Sequence, residues 1–166
     1  MPEAIKYETT TISARRTAGE IMELLAEYGA RHVSLEYDAA GEPAAVSFAI
    51  HDPNLGQLVP VHLRARTDAV ARRLLEVRPW NSRRRAASRA EYEREIRAQA
   101  HRIVWRHLKD LIEQQLLAVR IGQYELTDVF LHGLMLRDGS TVGERFREGA
   151  DRLLGTGLLQ LTAGGD

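Results

Sequence analysis

The chain has 166 residues, of which 44% are hydrophobic and 28% charged, values typical of one globular domain with its own core. It contains no cysteine, which excludes disulfides, thiolate nucleophiles and cysteine-ligated metals. Lys and Arg balance Asp and Glu at 23 each. The sequence shows neither a signal-peptide pattern nor an apolar run long enough for a bilayer, so a cytoplasmic protein without membrane contact is expected.

The first half of the chain predicts a small antiparallel sheet with one helix on it. Alternating residues predict a strand at Ile5–Ile12, and Ser13 is a suitable cap for a helix over Ala14–Tyr28. Three more strands are predicted, at Arg31–Tyr37, Ala44–His51 and Gln57–Ala65. The second of these places Val46, Phe48 and Ile50 on one face. Pro60 indicates that the third lies at a sheet edge, because proline lacks the N–H that a central strand needs.

The second half predicts helices. Thr67 is a possible cap for a helix over Thr67–Val77, and the polar, cationic segment Arg78–Ala90 reads as a flexible basic loop. Glu91–Gly122 has neither Pro nor internal Gly and predicts one long helix. Its predicted apolar face comprises Ile96, Ala100, Ile103, Leu108, Leu111, Ala118 and Val119. Shorter helices are predicted at Tyr124–Leu136 and, after a cap at Thr141, at Val142–Leu154.

These elements predict an α+β fold in which a small antiparallel sheet, in the order β-α-β-β-β-α, precedes a helical C-terminal half with one long helix. Residues 1–77 would form the sheet domain and residues 78–90 the basic loop. Residues 91–166 would form a helical region that packs on the sheet or projects from it. The three parts are expected to make one compact unit.

Charge is distributed unevenly along the chain. The stretch from Arg64 to Arg106 holds 13 arginines and five acidic residues, so the remainder is acidic. A basic middle between acidic ends favours an anionic partner, or self-association between unlike patches. The alternative is an arginine-rich exposed linker.

The basic residues of the loop and the long helix, together with two tryptophans, form a candidate nucleic-acid surface. Arginine binds phosphate through paired N–H groups, and an exposed tryptophan stacks on an unpaired base, so a single strand is favoured over a duplex. The candidate residues are Arg78, Trp80, Arg83, Arg84, Arg85, Arg89, Arg94, Arg97, Arg102, Trp105, Arg106 and Lys109. The alternative is that Trp105 lies in the core while these cations pair with acidic residues at helical spacing, namely Glu91, Glu93, Glu95 and Glu113.

Signatures of catalysis are missing from the sequence. There is no HExxH, no phosphate-binding glycine loop and no GxSxG motif, so no catalytic residue, cofactor or resident metal is predicted. His107, Asp110 and Glu113 lie on successive helical turns, but such a trio without further ligands is a weak metal signal. A non-enzymatic protein is therefore expected.

An apolar segment near the C-terminus offers a second kind of function. It contains Val129, Phe130, Leu131, Leu134, Met135 and Leu136. Such a segment is either core or an interface with another protomer or protein.

Two parts of the sequence resemble a family of small uncharacterised phage and prophage proteins. One is Tyr7–Ile50, with its "GEI…LL…GA" and "EYD…G…SF" segments, and the other is His101–Leu131, with "WR..KD..E.Q" and "DVFL". The resemblance implies a viral or prophage origin and a bacterial host cytoplasm, and it implies no reaction. Arg83–Arg85 lies outside the family pattern.

Sequence and resemblance together predict a phage-encoded, non-enzymatic protein that binds nucleic acid, with single-stranded DNA favoured. The alternative is an interaction or accessory factor that binds a host or phage protein, with a homo-oligomer as one form in which it could do so.

Overall fold

The computed structural model of the protein describes residues 5–81 and 88–154, with side chains as far as residue 150. It has an α+β fold, as predicted, in which a three-stranded antiparallel sheet is combined with helices. In chain order the elements are α1 (Ala14–Glu27), β1 (Arg31–Tyr37), β2 (Pro43–Asp52), β3 (Gln57–Arg64), α2 (Thr67–Val77), α3 (Arg89–Arg120), α4 (Leu126–Phe130), a 3₁₀ turn (Leu131–Gly133) and α5 (Val142–Leu154).

The sheet follows the order β1-β2-β3, which leaves β3 at an edge, as Pro60 predicts. Val46, Phe48 and Ile50 of β2 are buried on one face, and this alternation is the one read from the sequence. Val46 lies opposite Leu63, and Phe48 opposite Val61, so the inner faces of β2 and β3 form a continuous apolar surface.

Helix α1 covers this surface through Ala18, Ile21 and Leu25, which are fully buried. The helix starts where Ser13 Oγ accepts a 3.2 Å hydrogen bond from the backbone N–H of Arg16, so the predicted cap is confirmed. The predicted cap at Thr67 is wrong. Helix α2 follows Arg66, which makes no capping hydrogen bond through its side chain.

The predicted strand at Ile5–Ile12 is not formed. The segment turns twice, with 3.0 Å between Glu8 N and Ile5 O and 2.9 Å between Thr10 N and Tyr7 O, and Tyr7 has a positive φ of 66°. Its carbonyl groups are bound by side chains of α3 instead of by a neighbouring strand. Alternation and threonine content favour an extended segment, but they do not show whether a partner strand is available.

Helix α3 joins two core clusters. In its first half, Tyr92, Ile96, Ala100 and Ile103 pack with Ala71 and Leu74 of α2. In its second half, Trp105, Leu108, Ile112 and Leu116 pack with α1, the sheet and Phe130. The helix therefore lies on the sheet with its second half and on α2 with its first.

The predicted helix over Tyr124–Leu136 is too long. Helix α4 stops at Phe130, a 3₁₀ turn follows, and Leu134 then forms an antiparallel bridge with Val61 on the outer edge of β3. Gly133 permits this approach, because a Cβ atom there would lie 2.6 Å from Leu63 Cδ2. The predicted cap at Thr141 is confirmed: its Oγ1 accepts a 3.2 Å bond from Glu144 N, while the Glu144 carboxylate accepts from Thr141 N at 2.8 Å.

Candidate nucleic-acid interface

The polar face of α3, predicted to contact nucleic acid, lies against the N-terminal segment of the chain itself. Gln99 Nε2 donates to the carbonyl groups of Glu8 at 2.9 Å and Thr10 at 3.1 Å. Two turns further along, His107 Nε2 lies 3.0 Å from the carbonyl oxygen of Lys6. Because a carbonyl oxygen only accepts, this nitrogen carries the proton. Residues 6–10 thus run along the helix and occupy the middle of the predicted basic face.

Asp110 anchors the start of this segment. Its carboxylate accepts hydrogen bonds of 2.6 Å from both Lys6 Nζ and the Tyr7 hydroxyl. Burial opposes ionisation of the carboxyl group, but the bonds from Lys6 and Tyr7 outweigh it, so the pKa of Asp110 is lowered. The bond of Lys6 to Asp110, and after it an interaction with the Tyr7 hydroxyl, raises the pKa of Lys6.

Four of the predicted phosphate-binding cations are paired with carboxylates. Arg106 lies 2.6 Å from Glu20 and Arg78 is bound to Glu8, both over long sequence separations. Arg89 pairs with Glu93 at 2.9 Å and Lys109 with Glu113 at 3.3 Å, at the helical i, i+4 spacing. These pairs partly neutralise the four cations and compete with a phosphate for their N–H groups.

Trp105 lies in the core and offers no face to a base. Its side chain is 0% exposed, and its indole N–H donates to the carbonyl of Pro43 at 2.9 Å. The prediction that Trp105 stacks on unpaired bases is therefore wrong. The indole contacts the first residue of β2. Helix α3 is covered on more than one side, so a residue outside its predicted apolar face is also buried.

Three of the predicted residues are exposed and uncommitted in the part of the chain described. Arg94 and Arg97 are exposed on α3 and make no ion pair or hydrogen bond with any described residue. Trp80 is 39% exposed beside Arg89 and Glu93. Arg97 follows Glu93 by one helical turn and Arg94 by three residues, so the two arginines are neighbours on the helix one turn beyond the site beside Trp80. We call Trp80, Arg94 and Arg97 the α3 surface.

The remaining predicted residues fall into two groups. Arg102 is half-buried and donates through Nε to the Gln99 side chain at 3.0 Å. Arg83, Arg84 and Arg85 lie outside the described residues.

A polar cluster on the outer face of the sheet was not predicted. Ser47 Oγ lies 2.8 Å from His62 Nδ1, the Glu36 carboxylate lies 3.6 Å from the same nitrogen, and Arg64 Nε donates to His62 Nε2 at 3.1 Å. In a serine hydrolase the hydroxyl and the carboxylate approach opposite nitrogens of the ring. Here both approach Nδ1, and an arginine occupies the other nitrogen, so the geometry is not that of a catalytic triad.

The three side chains at metal-ligand spacing on α3, those of His107, Asp110 and Glu113, are engaged elsewhere. His107 is bound to Lys6, Asp110 to Lys6 and Tyr7, and Glu113 to Lys109. Among residues 5–81 and 88–150, no group of three His, Asp or Glu side chains is placed to hold a metal ion.

Comparison with family models, curated proteins and solved structures found no match to this chain. Of the helices described here, none is both long and apolar enough to cross a bilayer.

Proposed function

We propose that the protein is a non-enzymatic nucleic-acid-binding protein of phage origin that prefers single strands and acts in the bacterial cytoplasm. The observation that carries the proposal is the α3 surface, where an exposed Trp80 lies beside the first turns of α3 and the next turn carries Arg94 and Arg97, two arginines without partners among the described residues. Three arginines, Arg83 to Arg85, follow Trp80 closely in the sequence.

The chemistry of this surface suits an unpaired strand better than a duplex. A guanidinium group without a carboxylate partner binds phosphate without first losing an ion pair. A partly exposed indole stacks on a base of any identity, a contact worth about 1–3 kcal/mol per base. An exposed tryptophan gains no such contact from a duplex, in which each base face is already stacked on its neighbour.

The test is fluorescence anisotropy with a labelled single-stranded oligonucleotide and its duplex, at low and at physiological salt. We expect single-strand binding that weakens as salt rises, because each phosphate contact releases a counterion. Replacing Arg94 and Arg97 together with Ala should reduce the magnitude of the salt slope by about 1.4, since the slope is about 0.7 per phosphate contact on a single strand. Trp80→Ala should weaken binding with little change of slope.

A matched control removes the same charge elsewhere. Arg31 and Arg137 are exposed arginines without partners among the described residues and lie in other parts of the sequence. The double variant Arg31→Ala/Arg137→Ala should bind nearly as the parent does. Equal losses from both double variants, or binding indifferent to salt, would contradict the proposal.

The second candidate function is self-association or docking to a host or phage protein. In the C-terminal segment considered for this role, Phe130 is buried, whereas Leu131 is 53% and Leu136 39% exposed. The end of α3 adds Leu117, 41% exposed, and Ile121, 65% exposed, one helical turn apart. Light scattering during size-exclusion chromatography should then show a dimer that Ile121→Glu dissociates. A monomer at all concentrations would exclude self-association.

A further inference from the structure

A groove lies between the end of β3, the middle of α3 and the start of α5. Its cavity volume is about 370 Å³, within the range of about 300–1,000 Å³ typical of small-molecule sites. On α3 it begins seven residues beyond Arg97, about 10 Å along the helix. We call it the β3–α5 groove. None of the residues predicted to bind nucleic acid lines it.

One wall of the groove is apolar. Val104, Leu108 and Leu111 line it from α3 at spacings of four and three residues, which places them on one helical face. Leu111 is 45% exposed although it belongs to the predicted core face. It therefore offers apolar surface at the mouth of the groove to whatever binds there.

Arginines converge on the groove from three separate segments. Arg64 ends β3, Arg66 precedes α2 and Arg147 lies on α5. All three are exposed, and none forms an ion pair with a described residue. The Nε atom of Arg64 donates to His62 at 3.1 Å, which positions its guanidinium group and leaves the terminal N–H groups uncommitted among the described residues.

A single carboxylate lines the groove beside these arginines, and it is already engaged. Glu144 accepts from the backbone N–H of Thr141 at 2.8 Å and from its hydroxyl at 3.2 Å. These bonds, followed by the charges of Arg64 and Arg147, lower the pKa of Glu144. With three guanidinium groups against one carboxylate, the lining is net cationic.

His132 also lines the groove. Burial lowers the pKa of His132, and the charges of Arg147 and Arg66 lower it further. The surroundings of His132 therefore disfavour a further positive charge on its ring.

We propose that the β3–α5 groove binds a phosphate monoester that carries a flat, apolar body, as a nucleotide does. The phosphate would contact Arg64, Arg66 and Arg147, and the body would lie against Val104, Leu108 and Leu111. Phosphate fits better than carboxylate because a phosphate monoester near neutral pH carries close to two negative charges and has three terminal oxygens, which suits more than one guanidinium group. The same chemistry occurs in a free mononucleotide and in the 5′-phosphorylated end of a strand.

Isothermal titration calorimetry at low salt tests the groove with four probes: adenosine 5′-monophosphate, 1-naphthyl phosphate, inorganic phosphate and adenosine. We expect both phosphate monoesters to bind at least tenfold more tightly than inorganic phosphate, and adenosine not to bind. Two oligonucleotides of one sequence, with and without a 5′-phosphate, distinguish the two sources. A preference for the phosphorylated strand over the mononucleotide would identify the strand end as the ligand.

Two sets of variants test the cationic wall and the apolar wall of the groove independently. Arg66→Gln/Arg147→Gln should weaken every phosphate probe at least tenfold, whereas Arg72→Gln/Arg137→Gln, which removes the same charge outside the groove, should change nothing. Leu111→Asn should weaken the naphthyl ester several-fold and leave inorganic phosphate unchanged. All of these side chains are exposed, so the variants should fold, and an unchanged circular dichroism melt would verify this.

The proposal is overturned if neither monoester binds at low salt, or if the two double variants lose affinity equally. It is also overturned if Leu111→Asn affects both esters and inorganic phosphate alike. Because the groove does not include Trp80, Arg94 or Arg97, failure here leaves the single-strand proposal standing. Conversely, if the α3 surface variants bind single strands as the parent does, the proposal for the groove is unaffected.

Discussion

The indole N–H of Trp105 donates a 2.9 Å hydrogen bond to the carbonyl of Pro43, and the same oxygen accepts a 2.7 Å bond from Nε2 of His101. The carbonyl at the first residue of β2 is thus held by two side chains one turn apart on α3. This contact joins the long helix to the sheet by polar as well as apolar interactions.

Replacement of Trp105 should therefore be far more costly than replacement of Trp80. Trp105→Ala leaves a large cavity and should lower the free energy of unfolding by about 3–5 kcal/mol. Trp80→Ala, at a partly exposed site, should lower it by about 1 kcal/mol or less. Urea denaturation followed by circular dichroism measures both, and similar losses would contradict the burial assigned to Trp105.

The N-terminal segment should contribute stability through Asp110. Tyr7→Phe removes the hydroxyl group that donates to the Asp110 carboxylate, and we expect a loss of about 1 kcal/mol. Because the folded-state pKa of Asp110 is lowered, its contribution is present above the unfolded pKa of about 3.9 and is lost as the pH falls below it.

Asp110→Asn separates these effects. It should lower stability at pH 7 and reduce the further loss seen between about pH 4 and pH 3. The measurement is a series of urea titrations across this range. If the free energy of unfolding of the variant fell with pH as steeply as that of the parent, other carboxylates would account for the loss of stability in acid.

Two glycines of α5 should respond in opposite directions to alanine. A Cβ atom at Gly143 would lie 2.6 Å from the backbone oxygen of His132, whereas one at Gly149 meets no atom within 4 Å. Gly143→Ala should therefore destabilise the protein by about 1–3 kcal/mol through overpacking. Gly149→Ala should stabilise it by up to about 1 kcal/mol, because alanine is the better helix former. Thermal melts compare them directly, and the prediction is refuted if both variants shift the midpoint the same way.

His132 should make stability fall in mild acid. Its folded-state pKa is lowered, first by burial and then by Arg147 and Arg66. The unfolded chain therefore takes up a proton more readily, and stability is lost as the pH falls below the unfolded pKa of about 6.5. His132→Gln should flatten the pH dependence between about pH 6.5 and 5, and an unchanged slope in that variant would contradict this assignment.

The three strands β1 to β3 and most helix boundaries could be predicted because they depend on local patterns. Alternation in β2 and a serine before α1 act over a few residues, and both are confirmed. Whether the arginines of the basic face are free to bind a phosphate depends on residues distant in the sequence. Arg106 pairs with Glu20 and Arg78 with Glu8, 86 and 70 residues away in the sequence. Pairing at helical spacing, by contrast, correctly anticipated the partner of Arg89 and of Lys109.

Trp105 and Arg147 show two further limits of the sequence. A single apolar stripe predicts Trp105 on the polar face of the helix, whereas α3 packs on α2 along its first half and on α1 and the sheet along its second. Arg147 lies far from the basic middle segment and was missed, because only the fold brings it beside Arg64 and Arg66.

Because helix α3 is shared by two core clusters, its two halves can differ in how readily they unfold locally. The smaller cluster, formed by α2 and the first half of α3, has its own set of buried residues, including Leu74 and Ile103. This part could separate from the sheet without unfolding it, as a cooperative unit of its own. We expect backbone amides around Ile96 to exchange with deuterium faster than those around Ile112, which lies in the sheet-side cluster. Such a gradient along one continuous helix would mean that ligand binding at its first half can be linked to a local equilibrium rather than to global stability.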